Sequence, residues 1–242
     1  MTAILLSVLT FFSTALGGVL ALRRRRQLYL VMGFAAGLLL ATAVLDLLPD
    51  ALEIVHQSGQ SDAEGVFLGM ALGFLAFYGI DEFVHRGAAG HEIPEQKAAF
   101  GSVAALGLTL HSFLDGLAIG SAFRANSTIG VLVAIAVIAH DFGDGVSTVA
   151  VVLGSRGGLR TSVGWLLADA VAPVLGAGTA QLLPFSQALT ADLLGFFAGS
   201  FLFVGAVHLL PEAEQEQNRS WLFVSVLAGF GFIFVVTHIL KK

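Results

Sequence analysis

Two hexads in this sequence place chemistry-bearing residues at helical spacing: His111-Ser112-Phe113-Leu114-Asp115-Gly116 and His140-Asp141-Phe142-Gly143-Asp144-Gly145. In each, a His is followed four residues later by an Asp, so on a helix both side chains leave one face about one turn apart. Each hexad lies near the middle of a long apolar run. There a charged group costs several kcal/mol unless it is paired, hydrated or bound to metal. Two helices facing each other through these stripes supply two imidazoles and two carboxylates, His111, Asp115, His140 and Asp144, to one central site. That donor set suits Zn²⁺, Fe²⁺ and Mn²⁺, and the chain has no cysteine, which argues against a soft-metal trap. Ser112 and Asp141 follow the two histidines directly, roughly 100° around their helices. They are placed to serve a second ion that shares Asp115 and Asp144 as bridges. A lone His in an apolar helix is ordinarily a packing residue, and a lone intramembrane Asp serves a proton relay as readily as a metal. The doubling at matched spacing selects the metal.

The elements that carry these hexads follow from composition. Of 242 residues, 56% are hydrophobic and 12% charged, with a mean hydropathy of +0.87. A soluble domain of this length needs far more polar surface. Apolar runs of membrane-spanning length recur from end to end, predicting an all-α polytopic membrane protein with eight spans in a single transmembrane domain over residues 1–242. The expected spans cover about 2–22, 28–54, 65–84, 100–123, 128–153, 161–183, 189–210 and 221–240. Arg23 to Arg26 follow the first span, whereas a signal peptide carries its charge in front; this argues against cleavage and places the arginines inside. With that orientation the inside loops hold Arg23–Arg26, Arg86, Lys97, Arg156, Arg160 and Arg219. The outside holds only Arg124, Lys241 and Lys242. The asymmetry fits the positive-inside rule for a multi-pass protein of the cell membrane with both termini outside.

An internal repeat is also legible. The second span ends in Leu47-Leu48-Pro49-Asp50-Ala51 and the seventh in Leu209-Leu210-Pro211-Glu212-Ala213. Spans one to three matched to spans six to eight form units with an odd number of crossings, so the copies are inverted about a central pair, spans four and five. Asp50 and Glu212 then stand at opposite mouths of one pathway, with Asp46 and His208 a turn deeper. Ordinary capping at the water boundary accounts for Asp50 and Glu212 as well as a role on the pathway does, and the deeper Asp46 and His208 carry more weight. His85, His91, Glu92 and Glu95 fall in or beside the inside loop after span three, where a solvated polar loop is the simpler account. Asp81, Glu82 and Asp192 sit near span ends and receive no role. The Gly-x-x-x-Gly pairs Gly33/Gly37, Gly69/Gly73 and Gly195/Gly199 predict close helix packing, within one protomer or in a homodimer.

Taken together, these residues resemble the ZIP (Zrt-, Irt-like) metal transporters, in particular their short-looped prokaryotic-type members. The likeness covers the whole chain: eight spans, both termini outside, Leu-Leu-Pro-acid endings on spans two and seven, and paired His/acid motifs on spans four and five. It implies a main transport site of His111, Asp115, His140 and Asp144, with Ser112, Asp141 and the shared carboxylates forming a neighbouring one. The family pattern on span four is His-Asn-x-Pro-Glu-Gly. Here Ser112 replaces the Asn, Asp115 and Asp144 are shorter than the family's Glu, and Leu114 and Gly143 stand where it has proline. On span six the family places a glutamate before a proline, where this chain has Ala172-Pro173; Asp169, one turn earlier, is the substitute on offer.

The expected function is transport of divalent cations toward the cytoplasm, zinc foremost, with iron, manganese and cadmium as further substrates. The metal is cargo; no organic cofactor is implied, and the partners are metal ions and lipid, with no nucleic acid. An intramembrane metal-dependent hydrolase built on the same His/Asp cluster is the alternative. It lacks a His-Glu-x-x-His helix and has no need of an inverted repeat. A proton-coupled carrier of an organic substrate is the third reading, but it does not require doubled metal-ligand spacing. Histidine must be neutral to bind metal, so uptake into vesicles should fall as pH drops through the imidazole range. A flat uptake profile between about pH 5 and 7.5 would exclude histidine ligation at the transport site.

Overall fold

The computed structural model describes residues 2–57, 63–86, 94–125, 127–182, 187–214 and 219–240. Among them are eight helices long and apolar enough to cross a membrane. They are α1 (Thr2–Arg23), α2 (Leu28–Ala41, then a π-helical turn Thr42–Leu47, then Leu48–Gln57), α3 (Glu64–Arg86), α4 (Pro94–Ala125), α5 (Ser127–Gly154) and α6 (Leu159–Leu182). α7 runs Gln187–Phe203, a π-helical turn Val204–Leu209, then Leu210–Glu214, and α8 is Arg219–Leu240. All eight expected spans are present. The helices outrun the apolar runs where local chemistry allows: α4 starts at Pro94, since proline at a first helical position loses no intrahelical hydrogen bond. Lys97, read as part of a polar loop, is therefore helical and buried.

The packing carries the inverted repeat into three dimensions. α1 lies parallel to α5 and α6 parallel to α4; α2 lies parallel to α8 and α7 parallel to α3. Exchanging α1 with α6, α2 with α7, α3 with α8 and α4 with α5 maps this set of contacts onto itself. The central α5 buries 76% of its apolar window, while α3 and α8 bury 17% and present the rest to lipid. Leu5, Phe12, Leu68, Leu75, Phe223 and Ile239 are among the large apolar side chains left on that outer surface.

Glycine sets how closely the pairs approach. A Cβ on Gly116 would strike the backbone of Pro173, and one on Gly176 the backbone at Phe113; on the other side, Gly145 meets the backbone of Thr14 and Gly17 that of Phe142. These two reciprocal pairs correspond under the same exchange. The glycine closing each hexad is therefore what lets α4 seat on α6 and α5 on α1. The Gly-x-x-x-Gly pairs work in the same way inside the protomer, Gly37 against Val226, Gly73 against Phe196 and Gly199 against Met70.

The π-helical turns have one cause. Pro49 and Pro211 cannot donate to the carbonyls of Leu45 and Val207, and in a regular helix their rings would collide with those carbonyls. Widening the turn removes the collision. Leu48 N–H bonds back to Ala43 O, and Leu210 N–H to Gly205 O, the same offset in both copies. Asp46 and His208 occupy equivalent positions within these turns.

Valine at Gly145 or Gly116 should destabilise the protein by about 3 kcal/mol or more, because rigid backbone rather than a mobile side chain blocks the new atoms. Alanine at Gly164 or Gly178, where nothing lies within 4 Å of the new methyl, should leave the thermal midpoint in detergent unchanged or slightly raised. Equal midpoints for the two classes would refute the glycine-seat account.

Candidate metal centre

α4 and α5 cross so that the two hexad faces meet. One donor atom from each of His111, Asp115, His140 and Asp144 lies within 4.8 Å of the other three. His111 Nε2 is 3.3 Å and His140 Nε2 3.5 Å from the same oxygen, Asp115 Oδ2. Tetrahedral zinc holds its donors roughly 3.3 Å apart, so small side-chain rotations would close this group around one ion. The two imidazoles lie nearly face to face, their ring centres 6.3 Å apart. All four residues are buried or nearly so. Neither ring nitrogen of His111 makes a hydrogen bond, nor do His140 Nε2 or Asp144 Oδ2. Buried polar atoms normally have partners; a cluster of acceptors and imidazoles without them is shaped for a cation.

The surroundings fix these side chains. His111 is closed in by Phe201, edge-on at 5.1 Å, and Phe197 at 6.0 Å, both from α7. His140 is spanned by carboxylates: Asp115 at Nε2 and, 3.6 Å from Nδ1, Asp46 from the π-helical turn of α2. Asp141 Oδ1 lies 3.7 Å from His140 Nε2, and its other oxygen 3.5 Å from Thr14 Oγ1 on α1.

The remaining expected residues lie in three other places. Ser112 does not face the four-residue group; its hydroxyl donates to Asp169 Oδ1 at 2.7 Å, and Thr148 donates to Asp169 Oδ2 at the same distance. Asp169 is fully buried, and this knot ties α4, α5 and α6 together beside the cluster. His208 is farther off. It pairs with Ser155 Oγ at 2.7 Å, lies 3.8 Å from Asp81 Oδ1, and packs tilted against Phe100 at a ring separation of 4.2 Å. Phe100 precedes His111 by three turns of α4, roughly 16 Å of helix. Phe100 and Phe203 pack together at this level, both fully buried. Glu212, one turn past His208, meets Lys97 Nζ at 3.4 Å. Asp50 is exposed. The expectations at His91 and Glu92 lie outside the described residues, as do the side chains of His85 and Glu95.

Four contributors went unassigned in the sequence: Thr14, Asp81, Thr148 and Ser155. The spacing that revealed the hexads would have found Thr148, which continues the stripe of His140 and Asp144 by one more turn. Nothing in the sequence aligns Thr14, Asp81 or Ser155 with their partners, because each meets them across the fold.

Comparison with known proteins matches the family model described as ZIP Zinc transporter to residues 1–99 and 90–237. The chain belongs to the ZIP zinc transporter family. Its similarity extends to a bacterial protein, Zinc transporter ZupT of Escherichia coli O7:K1, at 26% identity over 96% of this chain and 94% of that protein. Mouse Zinc transporter SLC39A7 is 25% identical over 90% of this chain, which spans 64% of the mouse protein. Zebrafish Zinc transporter ZIP10 is 31% identical over 53% of this chain but only 16% of its own length. The ZIP family is one of transporters rather than enzymes, and the hydrolase reading gains no support from it. With its apolar helices, the ZIP match makes this chain a multi-pass membrane protein.

Replacing Asp169 by Ala should strand the buried Ser112 and Thr148 hydroxyls without an acceptor, at about 1–3 kcal/mol each. Thr148→Val removes one donor only and should cost less. The test is thermal unfolding in detergent, and an Asp169→Ala midpoint at or above that of Thr148→Val would contradict this arrangement.

Proposed function

We propose that this chain carries divalent metal cations, zinc foremost, across the cell membrane toward the cytoplasm, acting as a single transporting unit with both termini outside. Iron, manganese and cadmium are further substrates of the same donor set. The observation that carries the reading is the cluster of four donor atoms from His111, Asp115, His140 and Asp144 within 4.8 Å, buried between the central helices. Membership of a zinc transporter family supports the cargo, and the arginine block after α1 supports the orientation.

Cations approach past the exposed Asp50 and exchange water for imidazole and carboxylate at the cluster. Asp46 faces the Nδ1 side of His140, so it holds that ring with Nε2 turned toward the cargo, the usual part of a carboxylate behind a metal-binding histidine. Asp141 and Ser112 border the cluster, and Asp169 holds Ser112 in place; a second ion at this flank must compete with that hydrogen bond. Release runs toward His208 and Glu212 as one helix group rocks against the other about the repeat axis. The closely packed Phe100, Phe203 and His208 make that side the one that must open. Mixed imidazole and carboxylate coordination binds borderline metals firmly while leaving release possible. The glycine pairs are used within the protomer and lend no support to a homodimer.

Radioactive zinc uptake into proteoliposomes should be saturable for the wild-type chain. With His140→Ala and Asp144→Ala combined it should drop to the level of protein-free vesicles. Zinc bound stoichiometrically but never moved, or uptake unchanged in the double variant, would overturn this assignment.

A further inference from the structure

The most concentrated charge in the chain, Arg23-Arg24-Arg25-Arg26, lies outside the transport path, in a protein whose net charge is −5. The end of α1 and the short 3₁₀ turn Arg25–Gln27 spread these side chains around the helix. Arg24 borders an apolar groove toward α2 and α8. Arg23, Arg25 and Arg26 line a second groove of about 490 Å³ against α6, whose walls are Val19, Leu22, Leu159 and Val163. All three arginines are exposed, and no described carboxylate pairs with any of them. Arg160, also exposed, adds positive charge at the start of α6.

An arginine block that only sets orientation needs no groove. This one has an electropositive mouth opening onto an apolar trough at a helix end, where headgroups meet hydrocarbon. A groove of this size is larger than a lone anion needs. Guanidinium forks match phosphate oxygens, while the aliphatic walls, with Val19, Leu159 and Val163 partly open to lipid, match an acyl chain.

We propose that the groove between α1 and α6 seats an anionic glycerophospholipid, its phosphate held by Arg23, Arg25 and Arg26 and its chain laid along Val19, Leu22, Leu159 and Val163. Each basic residue near an anionic lipid surface contributes about a fivefold preference. Three acting on one phosphate should give a selectivity well above that of the general lipid annulus.

The full chain is reconstituted in nanodiscs of equal phosphatidylglycerol and phosphatidylcholine, and the lipid that survives release is counted by native mass spectrometry. The wild type should keep phosphatidylglycerol selectively. Arg23→Gln, Arg25→Gln and Arg26→Gln together should lower its retention by about tenfold or more. Val163→Trp, which keeps every arginine but fills the trough, should also lower it. That arm stands if the triple variant fails to insert. Equal retention of the two lipids by the wild type, or wild-type selectivity in Val163→Trp, would overturn the proposal.

Discussion

A histidine or aspartate held in the middle of a bilayer is stable only among groups that compensate it, and this requirement organises the whole molecule. His111, Asp115, His140 and Asp144 cannot each find water from a lipid-facing helix. They converge on one point, and α4 and α5 must lie against each other to bring them there. Once those helices are central, the others become the insulation. α1 and α6 seal their backs through glycine contacts, and α2 and α7 bring Asp46 and the phenylalanines Phe197 and Phe201 against the cluster. α3 and α8 form the outermost layer facing lipid. The glycine that ends each hexad joins the two demands, since the residue after the clustered aspartate is also the one that admits a neighbouring backbone.

The repeat is strict in its scaffold and broken in its chemistry. Glycine seats, parallel pairs and π-helical turns correspond across the two copies. The side chains at equivalent positions do not: Asp46 reaches His140, whereas His208 leans on Phe100 and Ser155, away from the cluster. One copy thus sets a carboxylate against the cluster, and the other sets an imidazole among aromatic rings away from it.

The architecture was largely legible in the sequence, because the signals that determine it are local or periodic. Apolar run length marks the spans, the four-residue spacing of His111 with Asp115 and of His140 with Asp144 marks the facing stripes, and Leu-Leu-Pro-acid marks the repeat. What stayed hidden depends on which helix lies beside which. Thr14 near Asp141, Ser155 on His208 and Asp81 beside it join residues far apart in the chain, and no periodicity points to them. Asp169 was identified through family likeness, yet the structure ties it to Ser112 and Thr148 rather than into the four-residue cluster. Chain connectivity fixes which faces are polar, but only packing decides which polar groups satisfy each other.

A π-helical turn holds one more residue than an α-helical turn, so it acts as a phase shift within a continuous rod. Before the shift, α2 keys into α8 through Gly33 and Gly37; within it, Asp46 faces His140. The two halves thus take their rotational setting from different neighbours. Removing a single residue between Thr42 and Leu47 would take away the room the wide turn provides, and the ring of Pro49 would press on the carbonyl one turn back. The proline thus divides α2 into a stretch seated by glycine and a stretch that sets Asp46 against His140.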